Sequence, residues 1–207
     1  MEKSAKNNTY SVALRIFHWL NAATIFFILL TVFTRKEWLE KFKIRDLILD
    51  FAQRNDLIIS SEQAYQLAKL VRNEIWNFHY TLGIFLAILF IYRLVLIFTK
   101  DGKRVFKEGF SVFKSSKANK SGIKIIYIIF YIALFFSILS GLLMHFDDFF
   151  GISAQTKKAM EALHVGIVTI IIYFVPLHII GVVMAELGNE KGIVSKMISG
   201  DKENKTS

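Results

Sequence analysis

The chain has 207 residues, 54% of them hydrophobic and 14% aromatic, with 20 Phe, one Pro and no Cys. Charged residues make up 21%, against about 25% in an average soluble domain, and they gather at the termini and in three connections. This excludes a soluble globule, a disordered chain and a disulfide scaffold. The absence of cysteine excludes iron–sulfur clusters, zinc ribbons, redox CxxC motifs and covalently attached c-type haem.

In chain order, a short N-terminus (1–13) carries Lys3 and Lys6. The first apolar run, 14–33, holds Arg15 and His18. It is too long for a signal peptide and no small-residue cleavage site follows it, so it is expected to remain as a helix. The first connection, 34–77, has nearly balanced charge. In it Ser60 and Gln63 have capping-box spacing, and Ala64, Leu67, Ala68, Val71 and Ile75 mark one helical face. A weaker apolar face runs through Ile44, Leu47, Ile48 and Phe51. Two readings stand for this connection: a helical cap lying on the outer membrane surface, or a docking surface for an extracytoplasmic partner.

The second run, 78–98, contains His79, Gly83 and Arg93, with Trp76, Tyr80 and Tyr92 as interfacial aromatics. A basic linker from Lys100 to Lys124 leads to the third run, 123–146, which ends with Gly141 and His145. The third connection sets Lys157 and Lys158 against Asp147, Asp148 and Glu161. The fourth run, 162–187, carries His164, Pro176, His178 and Gly181, and residues 188–207 form a tail. Pro176 lacks the N–H that would bond the Ile172 carbonyl, so a kink just before His178 is expected.

Each run reaches the roughly 20 apolar residues a bilayer-spanning helix needs, and lipid forces such runs to be helical. The expected fold is an all-α integral membrane four-helix bundle with an extra outer-surface helical connection. Lys and Arg concentrate at the N-terminus and in the second connection, which places both termini in the cytoplasm. The net charge of +9 is then a topology signal rather than a nucleic-acid patch.

His164 and His178 are 14 residues apart. In a helix they fall within about 40° of one face, separated by a rise of roughly 21 Å. Antiparallel threading sets His79 at the outer depth with His164, and His18 at the inner depth with His178. A single membrane histidine is more often a structural hydrogen-bonding residue; the pairing by depth is what points to a ligand role. Structural zinc would want further ligands, which these levels lack. Two imidazoles on opposite faces of a macrocycle make a low-spin haem b site, which favours electron transfer over oxygen binding.

Gly83, Gly141 and Gly181 leave room for a macrocycle or for close helix packing. Arg15, one turn before His18, and Arg93, 14 residues after His79, would meet haem propionates or snorkel to headgroups.

The segments R-I-F-H-W (15–19), H-Y-T-L-G (79–83) and H-V-G-I-V-T-I-I-I-Y-F-V-P-L-H (164–178) fall in order, each on its own run. With them the chain resembles bacterial di-haem b-type cytochromes of the b561 type, which include the cytochrome b subunits of nickel–iron hydrogenases and formate dehydrogenases. The resemblance covers 14–187 but neither the first connection, longer here than in compact members, nor the tail. It implies a four-helix bundle with two b haems that exchanges electrons with quinone. It also implies His18, His79, His164 and His178 as axial ligands, and gives His145 no such role.

The expected function is electron transfer across a bacterial inner (plasma) membrane, between the quinone pool and an extracytoplasmic dehydrogenase, hydrogenase or cytochrome subunit. The expected partners are therefore lipid, quinone and that subunit, with no nucleic acid; a homodimer is left open. An electron-transfer subunit is preferred to a stand-alone enzyme. The alternatives are a self-contained superoxide- or quinol-oxidising cytochrome, and a non-redox transporter or scaffold. Against the last, no run has an acidic residue at its centre.

Overall fold

The computed structural model describes residues 10–98, 118–188 and 191–200, and for 118–124 the backbone alone. Among these the chain is all-helical. The elements are α1 (Val12–Phe33), a π-helical turn (Thr34–Trp38), α2 (Lys41–Arg54), α3 (Ser61–Ile97), α4 (Ala118–His145), α5 (Asp147–Phe150), α6 (Ala154–Leu187) and α7 (Ile193–Ser199). Four helices are long and apolar enough to cross a membrane: Val12–Trp38, Ser61–Ile97, Ile125–His145 and Ala154–Leu187. The basic linker as far as Lys117 and the N-terminal Lys3 and Lys6 lie outside the described residues. So do the side chains of Lys120 and Lys124.

Local chemistry fixes the helix starts. Ser11 Oγ accepts from the Leu14 N–H, and Glu40 accepts from the Phe42 and Lys43 N–H groups at 2.8 and 3.0 Å. The expected capping box is present, with the Ser60 and Gln63 side chains each accepting from the other's backbone N–H.

The first connection is helical through most of its length. Its second half is continuous with the second span, because nothing between Ser61 and Gly83 breaks a helix. A helix of 37 residues extends about 55 Å, well beyond the roughly 30 Å of a hydrocarbon core. α2 folds back on its first half to make a helical hairpin. The contact is close because it is made by small side chains: Ala52, Ala64 and Ala68 are almost wholly buried. Of the expected apolar faces, Ala64, Ala68, Ile44 and Ile48 turn inward, whereas Leu47, Phe51, Leu67 and Val71 are exposed.

The long helices run alternately up and down. α1 packs on α3, α3 on α4, and α4 most extensively on α6. Midway along the bundle, Ile25, Leu86, Phe130, Ala133, Leu134 and Ile171 form a buried cluster drawn from all four. Most other large apolar side chains face outward, as lipid-facing surfaces require.

α6 remains helical through Pro176. Beyond it α7 docks against the start of α1. The Glu186 carboxylate accepts from the Gly192 and Val194 N–H groups at its N-terminus, and Arg15 donates to the Ile198 carbonyl at its C-terminal end. Both charges complement the helix dipole. Trp19 adds an indole N–H to the Met197 carbonyl.

Candidate functional site

The four candidate histidines fall at two levels on either side of the central apolar cluster. At the level near α7, the rings of His18 on α1 and His178 on α6 meet edge-on, with centroids 6.2 Å apart and planes at 62°. Two metal–nitrogen bonds of about 2 Å each, added to the ring radii, require a separation near ~6 Å. The spacing therefore suits one metal held between the rings. At the level near the α2–α3 hairpin, His79 on α3 and His164 on α6 lie within electrostatic reach of each other.

Neighbouring helices hold three of the four imidazoles. Thr31 Oγ1 on α1 lies 2.9 Å from His79 Nδ1, and Ser140 Oγ on α4 lies 3.0 Å from His164 Nδ1. Both hydroxyls donate their own protons to carbonyls of their own helices, Thr31 to Ile28 at 2.6 Å and Ser140 to Phe136 at 2.7 Å. Each oxygen must therefore accept, which puts the imidazole proton on Nδ1 and leaves the Nε2 lone pair free for a metal. At the other level the Tyr127 hydroxyl lies 3.0 Å from His178 Nδ1, and Phe174 stacks parallel to the His178 ring at 5.5 Å.

The other expected residues are placed as follows. Gly83 opens onto empty space, with nothing within 4 Å of where a Cβ would stand. A Cβ on Gly141 would lie 3.4 Å from His164 Cε1, so the room there is taken by the imidazole of His164. Arg93 reaches the His18 level, with its guanidinium 5.8 Å from the Phe17 ring and its Nε 3.5 Å from the Tyr131 hydroxyl. Its Nη1 is buried without a partner. Arg15 is directed to α7, as described above. His145 lies apart from both pairs, 4.6 Å from the Tyr80 ring.

Haem b fits this set. The donors are imidazole nitrogens in cross-helix pairs, Gly83 leaves space beside one pair, and buried guanidinium nitrogens without partners stand ready for carboxylates. Among the described residues no three His, Asp or Glu side chains converge as a cage for a bare ion.

Thr31, Ser140 and Tyr127 were not among the residues singled out from sequence. The signal available for the first two is a hydroxyl inside an apolar run, a cue shared by Thr24 and Ser137. Trp76 also does more than mark an interface, because its indole stacks on the His79 ring at 4.6 Å and 9°. Its position one turn before His79 was the available cue.

A family model described as prokaryotic cytochrome b561 matches residues 9–200. Neither the curated proteins nor the solved structures contain a significant match to the chain.

Proposed function

The chain belongs to the prokaryotic cytochrome b561 family, membrane b-type cytochromes of electron transfer, and on that footing we propose that it carries two b haems, one at each histidine level. Haem b, when bound, supplies the one-electron redox chemistry. His18 and His178 would hold the iron near α7, and His79 and His164 the iron near the hairpin. The observation that carries this reading is the His18–His178 pair, two imidazoles from different helices with ring centroids 6.2 Å apart inside a bundle of four apolar helices. Thr31 and Ser140 engage Nδ1 of His79 and His164, and Tyr127 lies beside Nδ1 of His178, which would leave each Nε2 to hold the iron. Arg93 offers its unpaired Nη1 to a propionate at the α7 level.

In this proposal both termini are cytoplasmic in a bacterial inner membrane, so the hairpin end is extracytoplasmic. Electrons pass between the quinone pool and an extracytoplasmic redox subunit. The hairpin supports a partner-dependent role over a stand-alone superoxide- or quinol-oxidising cytochrome. It projects beyond the apolar span and exposes Leu47, Phe51, Leu57 and Ile58.

The test is a reduced-minus-oxidised spectrum of the purified chain with haem counted per polypeptide. Two haems are expected, with His79→Ala or His164→Ala removing one and His18→Ala or His178→Ala removing the other. A colourless protein, or a single haem that survives loss of His79 or His164, overturns the proposal. Reduction by menaquinol without any co-purifying subunit would favour the stand-alone reading.

A further inference from the structure

Beside the hairpin-level histidines, Arg72, Trp76, His79 and Gly83 follow one another on a single face of α3, at spacings of four, three and four residues. Trp76 stacks parallel on the His79 ring. Over the same indole, 4.3 Å from its centroid, lies the guanidinium of Arg35, contributed by the π-helical turn that follows α1. Arg35 is within electrostatic reach of Arg72. Two cations therefore converge within a turn or two of a candidate iron ligand.

Neither cation is held in an ion pair among the described residues. The Nε atoms of Arg35 and Arg72 are both buried without a hydrogen-bond partner. Glu161 lies within electrostatic reach of Arg35. Yet the ion pairs among the described residues are Arg45–Asp46, Arg54–Asp50 and Lys157–Asp147, and none involves either arginine. Burying a guanidinium nitrogen unsatisfied is costly, and two like charges side by side add to the cost. The cost falls when an anion with paired oxygens lies between them, and carboxylate is the group whose geometry matches the guanidinium fork.

We propose that Arg35 and Arg72 form the binding site for the carboxylates of the haem held by His79 and His164. Trp76, in contact with both the guanidinium of Arg35 and the imidazole of His79, links this site to the ligand. This rests on the function proposed above. It assigns anchoring at this level to residues of the first connection, a segment that the spans alone do not require. It also gives the π-helical turn a purpose, since that turn delivers Arg35 back over α3.

The experiment uses the full chain in nanodiscs of zwitterionic lipid, comparing wild type with Arg35→Gln, Arg72→Gln, the double variant, and the double lysine variant. In the double glutamine variant the potential of one haem should shift downward, because two positive charges that disfavour ferric iron are gone. That haem should also be lost several-fold faster to apomyoglobin, while the potential and spectrum of the other stay unchanged and report an intact fold. Each single variant should give a smaller shift of the same sign. The lysine variant should keep the potential near wild type but still lose haem faster, because a point charge does not reproduce the fork.

An unchanged potential and loss rate in the double glutamine variant overturns the proposal. So does an equal change in both haems. If the variant instead differs only in the acidic phospholipid it carries through purification before reconstitution, with the haem unaffected, the pair is a headgroup site and the proposal fails. A wild-type chain with no haem at this level would be a different result, overturning the proposed function itself. Where the double variant does not accumulate, Arg72→Gln alone carries the same comparison.

Discussion

Thr31 and Ser140 each resolve two local problems with one oxygen. A hydroxyl in a lipid-embedded helix must find a partner, and each donates to a carbonyl of its own turn. The same oxygen then accepts from an imidazole of another helix, which fixes ring orientation and tautomer. Removing such a bond costs about 0.5–1.5 kcal/mol. If a haem is held at the hairpin level as proposed, Ser140→Ala and Thr31→Val should therefore each speed its loss by roughly threefold to tenfold. Transfer to apomyoglobin, followed by absorbance, measures this. On the two-haem proposal, Tyr127→Phe should alter the haem at the α7 level and leave the one at the hairpin level unchanged. Equal effects of all three substitutions on both haems would show that they act on the bundle as a whole.

At the scale of elements, the hairpin depends on side chains small enough to let two helices approach. Ala64 and Ala68 have no exposed surface, and Ala52 opposes them with 3%. Leu in place of Ala68 should overpack this contact at a cost of about 1–3 kcal/mol. Faster hydrogen exchange across α2 would report it, with the spans unaffected. At the far end of α4, Lys157 on α6 hydrogen-bonds Asp147 and so ties α5 to the start of α6. That bond is the main reason the Asp147 carboxyl titrates below its ordinary range. A carboxyl with a depressed folded value stabilises above its unfolded value, and the contribution is lost as pH falls through the folded one. The tie should therefore hold at neutral and mildly acidic pH and release only in strongly acidic solution. Asp147→Asn should abolish this pH dependence, as read by a spin label on α5.

For the molecule as a whole, the natural absence of cysteine gives a direct test of threading. Ile58 is fully exposed in the hairpin turn and Ile198 is 60% exposed on α7. A single cysteine at 58 should react with an impermeant maleimide added to intact spheroplasts. One at 198 should react only after the membrane is opened. Reaction of both from the same side would break the alternating path of four spans. The exposed hairpin is also the part of the molecule that apolar length alone does not account for. If it is cut away and α3 begins near Asn77, the spans should remain, but Arg72 and Trp76 go with the hairpin and Arg35 is left without either.

The four spans and the two histidine levels were legible in the sequence, because lipid admits only helices and helical pitch fixes depth. His164 and His178, 14 residues apart on one helix, set both levels before any packing is considered. The capping box at Ser60 was legible for the same local reason. The sequence also marked Arg15 as a cation near His18, but its partner is the Ile198 carbonyl, a residue 183 positions away. Gly141 could be read as empty space, yet only the approach of α6 fills that space with His164. Thr31, Ser140 and Tyr127 are ordinary polar residues until neighbouring helices bring the imidazoles to them. Periodicity and solvent determine depth and helix type along one chain. Which side chains meet across helices is decided by packing, which no local spacing encodes.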